Sequence, residues 1–440
     1  MTETQKGIEL NEEQRRKYRI NCVLTMLGIV VAQFVVMFNR NSSGILESSL
    51  KDAFNLTTMQ YALFSSLYFY PYVVMQLVMG ILADTIGPRK AISAGMLLTA
   101  IGTIMFSLAQ SYTVICISRV LIGIGVSGPI TCGSKLYASW FKQKNVATAS
   151  GVVSLVCGVL SFLGQTPLAL AVGYFGWRNT YVTAAVGTVA IAALCFFAMK
   201  DDPKKVGLPS IAEMEGVVRP PKPKQNIAKT VLSVYKNKWT LPFLIIMPIQ
   251  MGVYTMFSST WAIPYISQVF NKTTVEASTY MIYMILGTSI SAFVITFLSD
   301  KIRNRKIPLH ILNIVQLVCW VAITFFSPAL QRTNTLWLVM FGVGFTQGFV
   351  PLAFAMLREI NHPDNAGIAV GSCNMIGMSG SAILPVVIGA IVSKYENLGL
   401  AGFDLFRNSF KLCVILAVIC LIVGFFTKET HCENIYAQEK

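Results

Sequence analysis

Long apolar runs recur along the whole chain, and each is close to the length of a helix that crosses a membrane. A bilayer core about 30 Å thick takes about 20 residues of helix. Six runs precede a polar stretch at 199–238 and six follow it, near 20–46, 61–83, 91–109, 112–134, 146–170, 178–198, 241–266, 277–299, 308–327, 335–357, 366–392 and 406–427. We therefore predict an all-α, polytopic membrane protein with twelve transmembrane helices.

The amino-acid composition excludes a soluble protein of this length. Of the 440 residues, 54% are hydrophobic and only 12% are charged, whereas soluble domains carry about 25% charged residues. The ten cysteines fall mostly within apolar runs, and the sequence has no CxxC motif. We interpret them as small apolar side chains. The sequence thus predicts no metal site, no disulfide framework and no cofactor.

The formal net charge of +15 would suggest a nucleic-acid partner on a soluble protein. The positions of the charges show whether this excess indicates a nucleic-acid partner or the orientation of the chain in the membrane. Of the 35 Lys and Arg residues, 25 lie in the termini and in every second loop, seven lie in the other loops, and three lie within runs: Arg40, Arg119 and Lys135. By the positive-inside rule, both termini and the 199–238 loop are cytoplasmic. No nucleic-acid partner is expected.

The two halves of the chain repeat. The segment Gly80-Ile-Leu-Ala-Asp84 recurs as Thr296-Phe-Leu-Ser-Asp300, and two Gly-x-Gly pairs and two further glycines recur at nearly the same offset: Gly123-x-Gly125, Gly342-x-Gly344, Gly151 and Gly371. Such a repeat indicates two pseudo-symmetric six-helix bundles. We place them at 20–198 and 239–427, joined by the linker 199–238 and flanked by cytoplasmic tails 1–19 and 428–440.

The stretch from Gly80 to Lys90 resembles the loop between helices two and three of the major facilitator superfamily. A negative charge such as that of Asp84 is unfavourable at a helix C-terminus unless a positively charged partner compensates it. Arg89 or the N-terminus of a facing helix from the other bundle is the expected partner. The resemblance implies a latch that holds one state of a rocking transporter, and we assign to it Gly80, Asp84, Gly87, Arg89, Asp300 and Arg303.

Two narrower resemblances imply different substrates. Phe38-Asn39-Arg40 and Trp261-Ala-Ile-Pro-Tyr265 are similar to bacterial members related to a lysosomal dipeptide transporter. An Arg late in helix one is also similar to the anion/cation symporters for organic anions. The first resemblance implies an amino acid or short peptide, and the second implies an organic anion.

Arg40 is the first candidate for substrate binding. It lies about twenty residues into the first run, roughly 30 Å along a helix, where an ionisable group usually faces a cavity or a partner. Arg forms a two-pronged contact with a carboxylate or phosphate. The alternative is that the helix ends near residue 38 and Arg40 extends outward to the membrane surface.

Polar and aromatic side chains on the same runs are expected to complete the site. Tyr68, Tyr72 and Gln76 share one helical face at intervals of four residues. Pro248 and Pro264 are expected to bend the seventh helix. The remaining candidates are Asn39, Gln33, Gln250, Tyr254, Trp261, Tyr265, Tyr283, Gln347 and Asn374.

Arg119 and Lys135 are candidates for ion coupling. The resemblance places an Arg like Arg119 in proton coupling or in helix bracing, and Lys135 serves either as an inner-gate cation or as a side chain reaching the membrane surface. No Asp or Glu lies in the middle of a run, so coupling through a central carboxylate is not expected. Coupling to H⁺, coupling to Na⁺ and uncoupled diffusion stay open.

Together these features predict a secondary transporter that works by alternating access on a small, carboxylate-bearing anion or zwitterion. The alternatives are an amino-acid or short-peptide transporter and a transporter-like sensor without flux. An enzyme is not expected, because no cluster of catalytic or metal-ligating side chains lies in register. We expect a monomer, surrounded by lipid, in the plasma membrane (the inner membrane of a bacterium).

Overall fold

The computed structural model describes residue 8, residues 10–215 and residues 227–436. Eleven helical segments in this part are long and apolar enough to cross a membrane. The predicted all-α polytopic fold is confirmed. Most of the proline-containing centre of the linker, and the ends of both predicted tails, lie outside the described residues.

The helices of the first half are α1 Glu12–Asn41, α2 Ser43–Phe54, α3 Thr58–Ser66, α4 Phe69–Thr85, α5 Pro88–Ser107, α6 Tyr112–Gly125, α7 Gly128–Trp140 and α8 Gln143–Ala198. The linker contains the 3₁₀ turn Pro203–Val206 and the helices α9 Ile211–Glu215 and α10 Ile227–Lys236.

The helices of the second half are α11 Leu241–Met256, α12 Ala262–Phe270, α13 Thr274–Thr279, α14 Met281–Ile302, α15 Lys306–Phe325, α16 Ser327–Thr333, α17 Leu336–Phe345, α18 Phe349–Glu359, α19 Ala366–Asn397 and α20 Gly402–Gly424. A π-helical turn Phe257–Trp261 joins α11 to α12, and a 3₁₀ turn Thr346–Gly348 joins α17 to α18.

The fifth and sixth predicted spans, 146–170 and 178–198, fall within the single element α8. Gly176 interrupts this helix with φ of 76° and ψ of 157°, outside the helical region. Glycine adopts a positive φ without the steric penalty of a side chain. With α8 divided at Gly176, the arrangement of six predicted spans in each half holds.

Three helices in each half are broken, and the breaks occur at corresponding places. In the first half they separate α1 from α2, α3 from α4 and α6 from α7. In the second half they separate α11 from α12, α13 from α14 and α17 from α18. The repeat predicted from short motifs therefore extends to the positions at which helices are interrupted.

Prolines explain four of these six breaks. A proline has no N–H to donate to the carbonyl four residues earlier, and its ring crowds that carbonyl. Pro71, Pro129, Pro264 and Pro351 each follow a break by only a few residues. In the seventh predicted span, the break precedes Pro264, whereas Pro248 lies inside the continuous helix α11.

The chain forms two compact units. The first comprises Met1–Arg40, Tyr70–Gly164 and Ala171–Lys224, and the second comprises the remaining residues, including Asn41–Phe69. The chain therefore passes from one unit to the other at the break after α1 and returns at the break before α4. All ten cysteines are free thiols, and eight of them are buried.

Candidate functional site

The candidate anchor Arg40 lies in the last turn of α1. The helix continues to Asn41, so it does not end near residue 38, and Arg40 is half-buried. The Tyr72 hydroxyl lies within reach of the Arg40 charge and is hydrogen-bonded to Gln76. Tyr72 is only 3% exposed. Three of the predicted site residues are thus neighbours within the first unit.

A second arginine, Arg119 of α6, contacts the same end of α1. It is 1% exposed, and its Nη1 donates a hydrogen bond to the Asn39 carbonyl at 3.1 Å. The Asn39 side chain donates to the Val35 carbonyl at 3.0 Å. The last carbonyls of a helix lack helical partners and carry partial negative charge. Arg119 therefore braces the C-terminal end of α1, which is one of the two roles expected for it.

The helices around these two arginines contribute no carboxylate from their interiors. No Asp or Glu occurs in residues 14–46, 53–83 or 85–200. Arg119 binds a carbonyl oxygen, and Tyr72 and Gln76 supply a hydroxyl and an amide near Arg40. A ligand with a negative charge gains more from such surroundings than a neutral ligand does.

Gln33 and Tyr68 have other contacts in the structure. Gln33 is 8% exposed and its side chain is hydrogen-bonded to Tyr137 of α7. Tyr68 belongs to the second unit and precedes α4, with its ring edge-on to Phe69 at 5.0 Å. The helical face predicted for three residues therefore contains only Tyr72 and Gln76, because the break before α4 removes Tyr68.

Two candidates of the second unit are engaged in internal hydrogen bonds. Gln250 Nε2 donates to Asn313 Oδ1 at 2.9 Å, and Gln250 is 1% exposed. The Tyr265 hydroxyl is 2.6 Å from Ser327 Oγ. The Tyr265 ring packs against four phenylalanines, Phe257, Phe270, Phe406 and Phe410. The contacts of Gln250 and Tyr265 stabilise the packing of helices.

Three further candidates have aromatic or hydroxyl neighbours. The Tyr254 hydroxyl is 3.3 Å from the Thr288 hydroxyl of α14. Trp261 is buried with its ring edge-on to Tyr61 at 6.3 Å. Tyr283 lies beside Trp337 at 5.9 Å, and Trp337 is 44% exposed. Of these three, Tyr283 thus lies beside an exposed aromatic ring.

Gln347 and Asn374 complete the candidates of the second unit. Gln347 lies in the 3₁₀ turn between α17 and α18. It is 8% exposed, and its Nε2 has no hydrogen-bond partner among the described residues. Asn374 is half-buried on α19. A buried amide at a helix break is suited to bind a polar ligand, because an unpaired polar group is costly to bury.

The latch of the first unit has a different cation from the one expected. Lys135 Nζ lies 2.5 Å from Asp84 Oδ1 and donates to the Gly80 carbonyl at 2.7 Å. The Arg89 backbone N–H donates to Asp201 at 2.8 Å, and its guanidinium lies over the Phe196 ring. Lys135 therefore replaces Arg89 as the ion-pair partner of Asp84, because α7 brings it to the end of α4. Gly87, with φ of 92°, turns the chain into α5.

The second copy of the latch is centred on Arg305. Its guanidinium pairs with Asp300 at 2.6 Å and with Glu359 at 2.7 Å, and its Nη1 also donates a hydrogen bond to the Ser299 hydroxyl oxygen at 2.9 Å. Arg303, the expected member, adopts a left-handed conformation with φ of 47° at the end of α14. This turn directs the chain so that Arg305, which is 5% exposed, is the arginine that meets Asp300.

The sequence profile of the Major Facilitator Superfamily matches residues 29–349 and 251–435, which together cover most of the chain. The chain belongs to the major facilitator superfamily. It is accordingly a multi-pass membrane protein of a superfamily of transporters, not of enzymes.

Relatives within the superfamily carry several names. A probable sulfoacetate transporter of Cupriavidus necator is 23% identical over 46% of this chain and 47% of that protein. A probable hexose phosphate transport protein of Chlamydia trachomatis is 21% identical over 94% of this chain and 92% of that protein. A membrane sensor protein of Escherichia coli is 23% identical over 84% of each. The chain thus matches about half the length of the first relative and most of the other two.

A solved structure of the superfamily has the same fold. It is the crystal structure of a bacterial homolog to the human lysosomal transporter Spinster, in an inward-facing and occupied conformation. The TM-score is 0.70 with 16% sequence identity, over 95% of this chain and 97% of that chain. This likeness shows the superfamily fold.

Sequence reasoning missed a chain of polar side chains that joins segments of both sequence halves within the second unit. Glu47 and Lys51 of α2 pair at 2.8 Å, and Lys51 Nζ donates to Thr58 Oγ1 at 2.9 Å. The Thr58 hydroxyl donates in turn to Glu396 of α19. The i, i+4 spacing of Glu47 and Lys51 indicates their pair, but nothing along the sequence indicates Glu396 as a member.

Proposed function

We propose that this transporter moves a small organic anion that bears a carboxylate or a similar oxyanion, by alternating access. The observation that carries the proposal is the cluster of Arg40, Tyr72 and Gln76 beside Arg119. These groups lie on helices that supply no carboxylate from their interiors. The site is thus suited to receive negative charge from a ligand.

Each side chain of the cluster has a chemical task in this proposal. The Arg40 guanidinium forms a two-pronged contact with an oxyanion, which a lysine does not. The Tyr72 hydroxyl and the Gln76 amide, already bonded to each other, orient the ligand beside that contact. Arg119 fixes the end of α1 through the Asn39 carbonyl and so holds Arg40 in position.

The relatives favour an anion over a neutral solute. Sulfoacetate and hexose phosphate, the substrates in the names of two relatives, both carry oxyanions. A dipeptide is the competing substrate, because its carboxylate would also bind Arg40. Its amino group would favour an acidic partner, and the helices that bear Arg40, Tyr72 and Arg119 supply none from their interiors.

Alternating access is supported by the six helix breaks and by the polar chain from Glu47 to Glu396. Broken helices permit their two parts to move separately. The Thr58–Glu396 hydrogen bond ties α3 to α19, and such a bond must break if these helices separate. We further propose a monomer in the plasma membrane with both termini cytoplasmic.

Uptake by purified protein in liposomes tests the proposal. Labelled sulfoacetate, a hexose phosphate, a hexuronate and a dipeptide are offered without a gradient, with a pH gradient and with a Na⁺ gradient. We expect saturable uptake of at least one anion, and the gradient that accelerates it identifies the coupling ion. Uptake of the dipeptide alone would contradict the proposed substrate class.

A sensor without flux is the second candidate, because a membrane sensor protein matches 84% of the chain. The same preparation distinguishes the two functions. A sensor would bind an anion, seen as a rise in thermal unfolding temperature, while the liposomes accumulate none of it. A transporter would show both effects with the same anion.

A further inference from the structure

A cavity of about 360 Å³ lies at the start of α11 in the second unit. Its wall is formed by the end of α10, the turn that follows it and the C-terminal tail. The lining residues are Ser233, Lys236, Asn237, Lys238, Trp239, Ile360, Ile435 and Tyr436. Its volume lies in the range of small-molecule sites, about 300–1,000 Å³.

Two lysine ammonium groups lie near one indole ring at this cavity, and a third lysine lines the cavity wall. Lys238 Nζ lies 4.7 Å and Lys428 Nζ lies 4.9 Å from the centre of the Trp239 ring. Lys236 contributes to the cavity wall and is exposed. Ammonium groups are attracted to the face of an indole ring. Positive charge is therefore concentrated around the Trp239 ring, which lines the cavity.

The acidic residues of the tail do not cancel this charge at the cavity. Of the two acids in residues 428–436, Glu429 accepts backbone N–H groups of Arg305 and Lys306 at 2.9 and 2.8 Å. Its carboxylate is thus directed at the start of α15. Glu433 is exposed. Its single negative charge is smaller than the formal charge of the three lysines.

The cavity also adjoins surface that faces lipid. Leu241, two residues after Trp239, is 48% exposed, and Phe426, two residues before Lys428, is 68% exposed. Exposed apolar side chains on membrane-spanning helices contact acyl chains. On the linker side, Leu232 of the amphipathic helix α10 is 53% exposed. Trp239 therefore lies between basic and apolar surface, as tryptophans do at the headgroup level of a membrane.

We propose that this cavity binds the headgroup of an anionic phospholipid. Lys236, Lys238 and Lys428 contact the phosphodiester, Trp239 lies beside the glycerol, and the acyl chains follow the exposed side chains that continue α11 and α20. The site lies in the second unit and shares no residue with the Arg40 cluster. Its ligand is a constituent of the surrounding membrane.

The experiment measures the thermal unfolding temperature of the full-length protein in non-ionic detergent during titration with phosphatidylglycerol or phosphatidylcholine. We expect phosphatidylglycerol to raise the unfolding temperature at lower concentration than phosphatidylcholine. The double variant Lys236→Gln/Lys238→Gln should need roughly thirtyfold more phosphatidylglycerol for the same rise, because each lysine near an anionic lipid surface contributes about 1 kcal/mol and each 1.4 kcal/mol is about tenfold. Both side chains are exposed, so the variant is expected to fold.

The matched control is Lys90→Gln/Lys301→Gln, which removes two exposed lysines elsewhere and should respond like the unchanged protein. An equal response of the Lys236→Gln/Lys238→Gln variant, or an equal effect of both lipids, overturns the proposal. Inorganic phosphate and glycerol phosphate form a third arm. If either raises the unfolding temperature as phosphatidylglycerol does, and the Lys236→Gln/Lys238→Gln variant loses this rise, the cavity binds a soluble phosphate and the lipid assignment is wrong.

Discussion

Arg119 is held inside the first unit by the carbonyl oxygen of Asn39. Replacing Arg119 with Gln removes this charge-assisted hydrogen bond, and bonds of this kind stabilise a protein by about 1.5–3 kcal/mol. We expect a clearly lower thermal unfolding temperature for Arg119→Gln. The exposed Arg332 provides the control, Arg332→Gln. Equal unfolding temperatures for the two variants would show that the Asn39 contact does not brace α1.

Tyr72 tests the polar part of the proposed site without a change of charge. Tyr72→Phe keeps the buried ring and removes only the hydroxyl, which is hydrogen-bonded to Gln76 and within reach of the Arg40 charge. We expect KM for the transported anion to rise several-fold with little change in the maximal rate, because the hydroxyl stabilises the bound substrate. The measurement is the concentration dependence of initial uptake, with Tyr174→Phe, at an exposed tyrosine, as the control. An unchanged KM for Tyr72→Phe would show that the hydroxyl does not contribute to substrate binding.

For individual residues, the sequence indicated candidate positions along the chain but not which residues contact one another. It identified Arg40 and Asp84, because charges near the ends of apolar runs are conspicuous. It did not identify Lys135 as the partner of Asp84, since 51 residues separate them and only the packing of α7 beside α4 joins them. It also chose Arg303 instead of Arg305, because a left-handed turn is not evident from a run of basic residues.

Close helix contacts depend on the glycines of the repeated Gly-x-Gly pairs. A Cβ atom on Gly344 of α17 would lie 1.8 Å from the Met284 carbonyl oxygen of α14, so the helices would have to separate. We expect Gly344→Ala to lower the thermal unfolding temperature by several degrees. Gly371→Ala is the control, because no atom lies within 4 Å of that position and alanine favours a helix. Equal behaviour of the two variants would contradict the role of this contact.

The C-terminal tail is bound to the start of α15 through Glu429. Burial alone would raise the pKa of the Glu429 carboxyl, but backbone N–H groups of Arg305, Lys306, His431 and Thr430 lower it below the ordinary value of 4.5. A carboxyl with a lowered pKa stabilises the folded state above its ordinary pKa, and this stabilisation is lost as the pH falls through the lower folded pKa.

We therefore expect Glu429→Gln to lower the thermal unfolding temperature at pH 7. The difference from the unchanged protein should shrink as the pH falls below about 4.5. Thermal unfolding between pH 7 and the lowest pH at which the protein stays soluble provides the measurement. Glu433→Gln, at an exposed residue of the same tail, is the control. A difference that is constant over this pH range would contradict the role of the Glu429 carboxylate.

For the helices, some features of the fold could be predicted from the sequence and others could not. The spans followed from apolar length, and the bend near Pro264 followed from proline chemistry. The break after α1 has no proline near it, and the break between α13 and α14 has none either. No proline accounts for these two breaks, and periodicity along the chain carries no signal for them.

The orientation of the whole molecule rests on the unequal distribution of its basic residues. We expect both termini in the cytoplasm, because 25 of the 35 Lys and Arg residues lie in the termini and the loops of that side. A fluorescent protein fused after Lys440 should fluoresce in a bacterial host, and alkaline phosphatase fused there should be inactive. Active phosphatase at this position would show that the C-terminus lies outside the cytoplasm and would contradict the predicted orientation.

The central claim is that Arg40 binds the negative charge of the transported substrate. The most direct measurement is the concentration dependence of anion uptake by the unchanged protein, Arg40→Lys and Arg40→Gln in liposomes, with Arg332→Gln as the control. We expect KM to rise about tenfold or more for Arg40→Gln and less for Arg40→Lys, which keeps the charge but loses the two-pronged contact. A KM for Arg40→Gln equal to that of Arg332→Gln would contradict the claim.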